Sequence, residues 1–229
     1  HMGTVWCNDR YFSMPRGDEQ GYDKLLSFDG NTIQEYEVPY INKNITRKFT
    51  DCIVVGNKLY ALPFGETQGM NAVIEFDTVS NNFAVHNLQG VDFAKKYNAG
   101  VLLGKTVIAL PYGDEHSNDS NLGLKFDTDS GESEQFKINQ SFGGKYRFRS
   151  GIKYFDEAYF FPAGTPACPI LVINEQGQIT NELQERNVLF GRPIVFDGYI
   201  YVIKVDLTTK SHKLCIYDRN LQIVNEKLI

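Results

Sequence analysis

Self-similarity along the chain limits its fold more than any other feature. The segment Leu59-Tyr60-Ala61-Leu62-Pro63-Phe64-Gly65-Glu66 resembles Val107-Ile108-Ala109-Leu110-Pro111-Tyr112-Gly113-Asp114, and further copies begin at Tyr11 and Ala158. Their prolines, Pro15, Pro63, Pro111 and Pro162, lie 48, 48 and 51 residues apart. A degenerate fifth copy, Tyr199-Ile200-Tyr201-Val202-Ile203-Lys204, has Lys204 in the proline's place. A second motif keeps step with the first. An apolar run ends in Asp or Asn at Asp29, Asp77, Asp127, Asn174 and Asp218, at spacings of 44 to 50 residues. A third precedes each unit from the second onward. It is a basic or apolar residue, an aromatic, two more residues and a small one: Lys48-Phe49-Thr50-Asp51-Cys52, Lys96-Tyr97-Asn98-Ala99-Gly100, Arg147-Phe148-Arg149-Ser150-Gly151 and Leu189-Phe190-Gly191-Arg192-Pro193.

Each unit is expected to form four short strands joined by Gly, Asp, Asn and Ser turns. In the second unit the predicted strands cover 53–55, 58–62, 72–76 and 82–86. Four strands in a period of roughly 40–50 residues predict a propeller blade. The expected fold is all-β: a five-bladed β-propeller of four-stranded antiparallel blades, each drawn from one continuous segment. The units run over about 4–49, 50–97, 98–147, 148–191 and 192–229, in a single domain covering 3–229. His1 and Met2 read as an expression scar. That scar stands where a Lys-aromatic element should precede the first unit, which fits a domain cut from a longer protein. With no strand exchanged between first and last units, closure of the ring is expected to rest on apolar packing between those two blades.

The unit resembles kelch-type propeller repeats, which run strand, glycine turn, aromatic strand, Gly loop and an apolar strand ending in Asp. The Pro-x-Gly-acidic loop stands where that family has its double glycine. Chain length and unit size are also similar to those of five-bladed lectins of the tachylectin type. These resemblances imply a propeller with a ligand face at its loops. Glycosidases with five blades imply the alternative, a pair of carboxylates near the axis.

Local chemistry assigns most motif positions to the framework. Proline ends the second strand of each unit because it has no N–H to donate. Asp29, Asp77 and Asp127 are expected to cap Asx turns. Phe49, Tyr97, Phe148 and Phe190 are expected to wedge between blades. Trp6, the only Trp, is expected in the core. Lys48, Lys96 and Arg147 are expected on a solvated rim, paired with acidic loops in exposed ion pairs worth about 0–1 kcal/mol each.

Candidate ligand groups are then those that vary on the repeated frame. The acidic loops offer Asp18, Glu66 and Asp114, with Tyr112 and His116 beside the last. The mouth of the channel is expected to carry Thr50, Asp51, Asn98, Arg149, Ser150 and Arg192. Neighbouring acidic loops at a radius of about 10 Å stand about 12 Å apart, too far to share a cation whose oxygen ligands lie near 2.4 Å. No metal or cofactor is expected. Asp51 with Glu66 or Asp114 is the best catalytic carboxylate pair available.

A net charge of -5 argues against a nucleic-acid partner. No apolar run approaches the roughly 18 residues needed to span a membrane. Cys7, Cys52, Cys168 and Cys215 form no C-x-x-C and read as free thiols, which leans toward a cytoplasmic or bacterial setting. The expected function is a non-catalytic binding or interaction module taking a glycan or a protein or peptide ligand at the loop face and channel mouth. The alternatives are a glycoside-processing enzyme and a pure scaffold domain of a longer protein.

Overall fold

The computed structural model describes residues 4–16, 23–39, 45–65, 70–91, 96–112, 121–138, 147–163 and 168–229. Every regular element among them is a β-strand. Strands follow chain order within five antiparallel sheets. The first holds Thr4–Cys7, Arg10–Ser13, Lys24–Phe28 and Ile33–Glu37. The second holds Phe49–Val55, Lys58–Pro63, Ala72–Asp77 and Asn82–Asn87. The third holds Tyr97–Leu103, Thr106–Pro111, Leu122–Asp127 and Ser133–Lys137, and the fourth Phe148–Tyr154, Glu157–Pro162, Ile170–Ile173 and Ile179–Leu183. In the fifth the inner strand is broken into Val188–Phe190 and Ile194–Phe196, followed by Tyr199–Asp206, His212–Tyr217 and Ile223–Leu228. The first strands of consecutive sheets pack side by side. This is a β-propeller, with each blade drawn from one continuous segment.

Burial explains the composition of the strands. Second strands have neighbours on both faces, so Leu59, Tyr60, Ala61 and Leu62 are all at most 1% exposed and the run reads as continuously apolar. Outer strands such as Ile33–Glu37 are mostly exposed and polar. Along each second strand, side chains alternate between the preceding and the following blade. Leu59 and Ala61 point back to a cluster with Phe12 and Leu25, while Tyr60 and Leu62 point forward to one with Val107 and Phe126. A third cluster joins the third and fourth sheets through Ile108, Leu110, Ala158 and Ile173. A fourth joins the fourth and fifth through Tyr159, Phe161, Ile200 and Val202. Each buried Leu, Ile or Phe contributes roughly 1.5–3 kcal/mol, so the energy is spent on blade-to-blade contact. Phe49, Tyr97, Phe148 and Phe190 are buried, one in each cluster, as wedges.

The turn motifs do what their chemistry suggests. Asp29, Asp77, Asp127, Asn174 and Asp218 each accept two backbone N–H groups just ahead on their side-chain Oδ1. Those hydrogen bonds hold the carboxyls of Asp29, Asp77 and Asp127 below the usual range. Gly65 of the Pro-x-Gly loop has φ +62°, the left-handed region that favours glycine.

The first and third motifs prove to be two halves of one device. Lys48 N–H donates to the Arg16 carbonyl, and the Lys48 carbonyl accepts from Phe64 N–H. Lys96 likewise lies between the Phe64 carbonyl and Tyr112 N–H, and Arg147 between the Tyr112 carbonyl and Ala163 N–H, all at 2.6–2.9 Å. The residues after Pro15, Pro63 and Pro111 thus accept from the next blade's basic residue, and a main-chain relay runs from the first sheet to the fourth. It corrects one expectation. Held on both sides, Lys48 and Lys96 have no exposed surface and Arg147 is 8% exposed, so they are interior residues of the blade junctions and do not form a solvated rim.

Two further expectations are corrected. Trp6 is 53% exposed, because the face it stands on has no blade against it among the described residues. The expected closure between the end blades is also missing there. The four clusters join each sheet to the next, and none joins the fifth to the first.

Candidate functional site

The proline that ends each second strand shapes the site. Since it cannot donate to the ladder, pairing with the inner strand shifts at that level, leaving extra residues as a β-bulge. In the second sheet Cys52 pairs with Ala61 and Phe49 with Pro63, so Thr50 and Asp51 together face Leu62. In the third, Ala99 pairs with Leu110 and Tyr97 with Pro111, which leaves Asn98 over. In the fourth, Ser150 pairs with Phe161 and Phe148 with Pro162, which leaves Arg149 over. The fifth has its proline in the inner strand instead, and the break at Gly191-Arg192-Pro193 leaves Arg192 outside the ladder. Bulges re-aim side chains and recur beside functional sites. Here residues of the second, third, fourth and fifth blades are turned to the same end of the channel.

These residues surround a cavity of about 280 Å³ lined by Thr50, Asn98, Arg149, Ser150, Leu189 and Arg192, with Ile203 and Val205 beneath. Three of the polar groups are committed to the framework. Thr50 Oγ1 donates to the Tyr97 carbonyl (3.2 Å), Asn98 Nδ2 to the Arg149 carbonyl (3.1 Å) and Ser150 Oγ to the Gly191 carbonyl (3.2 Å). These bonds stitch the second blade to the third, the third to the fourth and the fourth to the fifth. Arg149 and Arg192 are exposed, and among the described residues neither guanidinium has an ion pair within 4 Å. Among the described residues they are the only charged ones lining the cavity.

Asp51 is half-buried beside it. Burial pushes its carboxyl up, while Arg192 and the N–H groups of Cys52 and Gly100 pull it back down. An acid whose folded pKa is raised costs stability above that pKa, and the cost disappears below the unfolded value of about 3.9. Asp51→Asn is therefore expected to raise Tm at pH 7, each kcal/mol recovered being worth roughly 2–4 °C in a domain of this size. The gain should shrink as pH falls to about 4. Calorimetric scans of both proteins across that range check it, and an equal loss of Tm at both ends would refute it.

Of the residues singled out in the sequence, Asn98, Arg149 and Arg192 come together at the cavity, with Asp51 adjacent. Tyr112 does not line it. It is half-buried, its ring centroid 5.6 Å from that of Phe64 in the preceding blade. Asp18, Glu66, Asp114 and His116 lie outside the described residues. Leu189, Ile203 and Val205, the apolar floor, were not anticipated. Their signal was the missing proline at Lys204, which lets the fifth blade's second strand run on to Asp206. No set of three or more His, Cys, Asp or Glu residues suited to a metal occurs among the described residues.

No known protein family and no curated protein matches the sequence. Solved structures do match in fold. The extracellular domain of a putative hybrid two-component system from B. thetaiotaomicron superposes with TM-score 0.61 at 13% identity, over 96% of this chain and 26% of that one. A quinoprotein alcohol dehydrogenase-like protein from Bacteroides thetaiotaomicron matches with TM-score 0.59 at 12% identity, over 99% of this chain and 65% of that one. YCF48 bound to a D1 peptide matches with TM-score 0.59 at 9% identity, over 99% and 65%. They share the propeller fold with this chain. The chain spans about a quarter of the first of them and about two thirds of the other two.

Proposed function

We propose that the chain is a non-catalytic recognition domain that captures a carboxylate-bearing segment of a protein partner at the mouth of its channel. One observation carries this reading: Arg149 and Arg192 are both exposed at one cavity whose lining, among the described residues, contains no carboxylate. A guanidinium offers a planar fork that matches a carboxylate with two parallel hydrogen bonds. The hydroxyls and amide around the pair are engaged with backbone carbonyls, which leaves the guanidinium groups as the main donors for a guest. The apolar floor of Leu189, Ile203 and Val205 suits the methylene groups of a side chain. YCF48, whose fold is similar, is a propeller bound to a peptide, which supports a peptide as the class of ligand.

An acidic glycan is the second reading, since a uronic acid carries the same carboxylate. It ranks lower because the one aromatic lining the cavity among the described residues, Phe190, is 1% exposed and offers no face for a sugar ring. The glycosidase alternative needs a second carboxylate within reach of Asp51, and Glu66 and Asp114, the expected partners, lie outside the described residues.

Titration calorimetry decides between the readings. A glutamate-rich pentapeptide is compared with its glutamine counterpart, and an oligogalacturonate with a neutral galactose oligomer. The acidic peptide is expected to bind and the neutral one not. Arg149→Ala and Arg192→Ala should each weaken binding about tenfold or more, the loss of one charge-assisted hydrogen bond of roughly 1.5–3 kcal/mol. Added salt should weaken it further. Equal binding of acidic and neutral peptides would overturn the proposal, and preference for the oligogalacturonate would move it to the glycan.

A further inference from the structure

The two end blades each present a face built for a neighbour. In the second sheet, Val54, Leu59, Phe76 and Phe83 form one row across four paired strands, and that row packs on the first blade. The same register positions in the first sheet are Trp6, Tyr11, Phe28 and Ile33. Leu59 and Phe76 are at most 1% exposed, whereas the four residues of the first sheet are 41–67% exposed. The mirror situation holds at the other end. Ile53 and Leu62 face forward into the cluster with the third blade. On the fifth sheet the counterpart of Ile53 is Ile194 and that of Val55, which also packs on that cluster, is Phe196; they are 60% and 68% exposed. A solvent face of an antiparallel sheet carries polar residues, and contiguous apolar patches on a soluble surface mark contacts.

We propose that both faces are inter-blade faces, and that their occupant is further four-stranded blades of the same polypeptide, two or three of them, lying between the fifth sheet and the first. The row on the first sheet continues an established interface pattern, position for position. The size of the gap follows from the two propellers that this chain matches over 99% of its length while spanning 65% of theirs, which leaves about 120 residues, or two to three units of about 48. A second copy of the chain fits less well. Seated head to tail on one end face it would leave its own opposite face open, so assembly would run on without closing.

Trp6 is the only Trp in the chain and stands on the first of these faces, so its fluorescence reports on that face alone. The chain of 229 residues is compared with a longer product of the same reading frame, extended past both ends. Sedimentation gives the oligomeric state of each. In the shorter chain, Trp6 should emit as a water-exposed indole and be strongly quenched by acrylamide. In the longer one the emission should shift to the blue and quenching fall several-fold. A protected Trp6 in a monomeric short chain would mean that five blades close on themselves and would overturn the proposal. So would protection that tracks dimerisation, or a Trp6 equally exposed in both. Ile194→Lys gives an independent readout on the opposite face: no change in Tm for the short chain, a clear loss for the longer one. Should the short chain self-associate too strongly to be read, the longer chain decides alone. Protected Trp6 with a damaging Ile194→Lys supports the further blades, and exposed Trp6 with a silent Ile194→Lys refutes them.

Discussion

Phe76→Ala is expected to cost about 3–5 kcal/mol, and Phe28→Ala, the same change at the same place in the repeat, under about 1 kcal/mol. Phe76 has no exposed surface. Its ring lies 4.9 Å from Tyr36 and 5.9 Å from Phe12 of the first blade, and 4.7 Å from Phe83 of its own. Removing it leaves a void between two sheets whose spacing is fixed by the main-chain relay, so the walls cannot collapse into it. Phe28 ends the third strand of its sheet in the same way but is 41% exposed, and water already occupies part of its surroundings. At roughly 2–4 °C per kcal/mol, the first variant should melt roughly 6–20 °C lower and the second almost with the parent. Calorimetry or urea titration of the 229-residue chain measures both. Losses of equal size would contradict the difference in packing between the two junctions.

The second large effect concerns the small residue of the third motif. A Cβ added at Gly100 would stand 2.5 Å from Leu62 Cδ1 and 2.7 Å from Ile53 Cδ1. Both side chains belong to the preceding blade and are themselves buried. Gly100→Val adds two further methyl groups in the same space. Overpacking of this kind costs about 1–3 kcal/mol, occasionally more, and a loss within that range is expected because both neighbours are packed in the same inter-blade cluster. Gly191→Ala is the tolerant control, since its added Cβ would meet Ile203 no closer than 3.6 Å. Melting curves for the two variants test the contrast, and a Gly100→Val protein that melts with the parent would remove the steric explanation for the small residue.

What could be read from the sequence was whatever depends on a unit's own residues. The four-strand pattern, the Asx turns at Asp29, Asp77 and Asp127, and the proline stops are local, and four or five copies repeat each of them. The aromatic wedges were legible for the same reason. What escaped depends on the neighbouring blade. Lys48 and Lys96 carry charge and so read as surface residues, but the relay that buries them is made with Arg16, Phe64 and Tyr112, far away in sequence. Trp6 read as core because large apolar side chains go inside, and nothing in its own strand tells whether a blade stands against it. The bulges were half legible. The prolines were plain in the sequence, yet their effect falls on the partner strand some 12 to 14 residues earlier, and only the paired register shows that Asn98 and Arg149 are the residues left over. Pro193 acts the other way round, breaking the inner strand that contains it.

The bulges also separate two kinds of evolutionary change. Arg149 and Arg192 have no ladder partner across the sheet, and their side chains are exposed. Exchanging either for another residue removes no strand pairing and opens no void. The residues that hold the blades together stand one or two positions away, at Phe148, Ser150 and Phe190. The residues at the cavity can therefore change by single substitutions on an unchanged chassis, and the cavity lining and the blade packing can be mutated and selected independently.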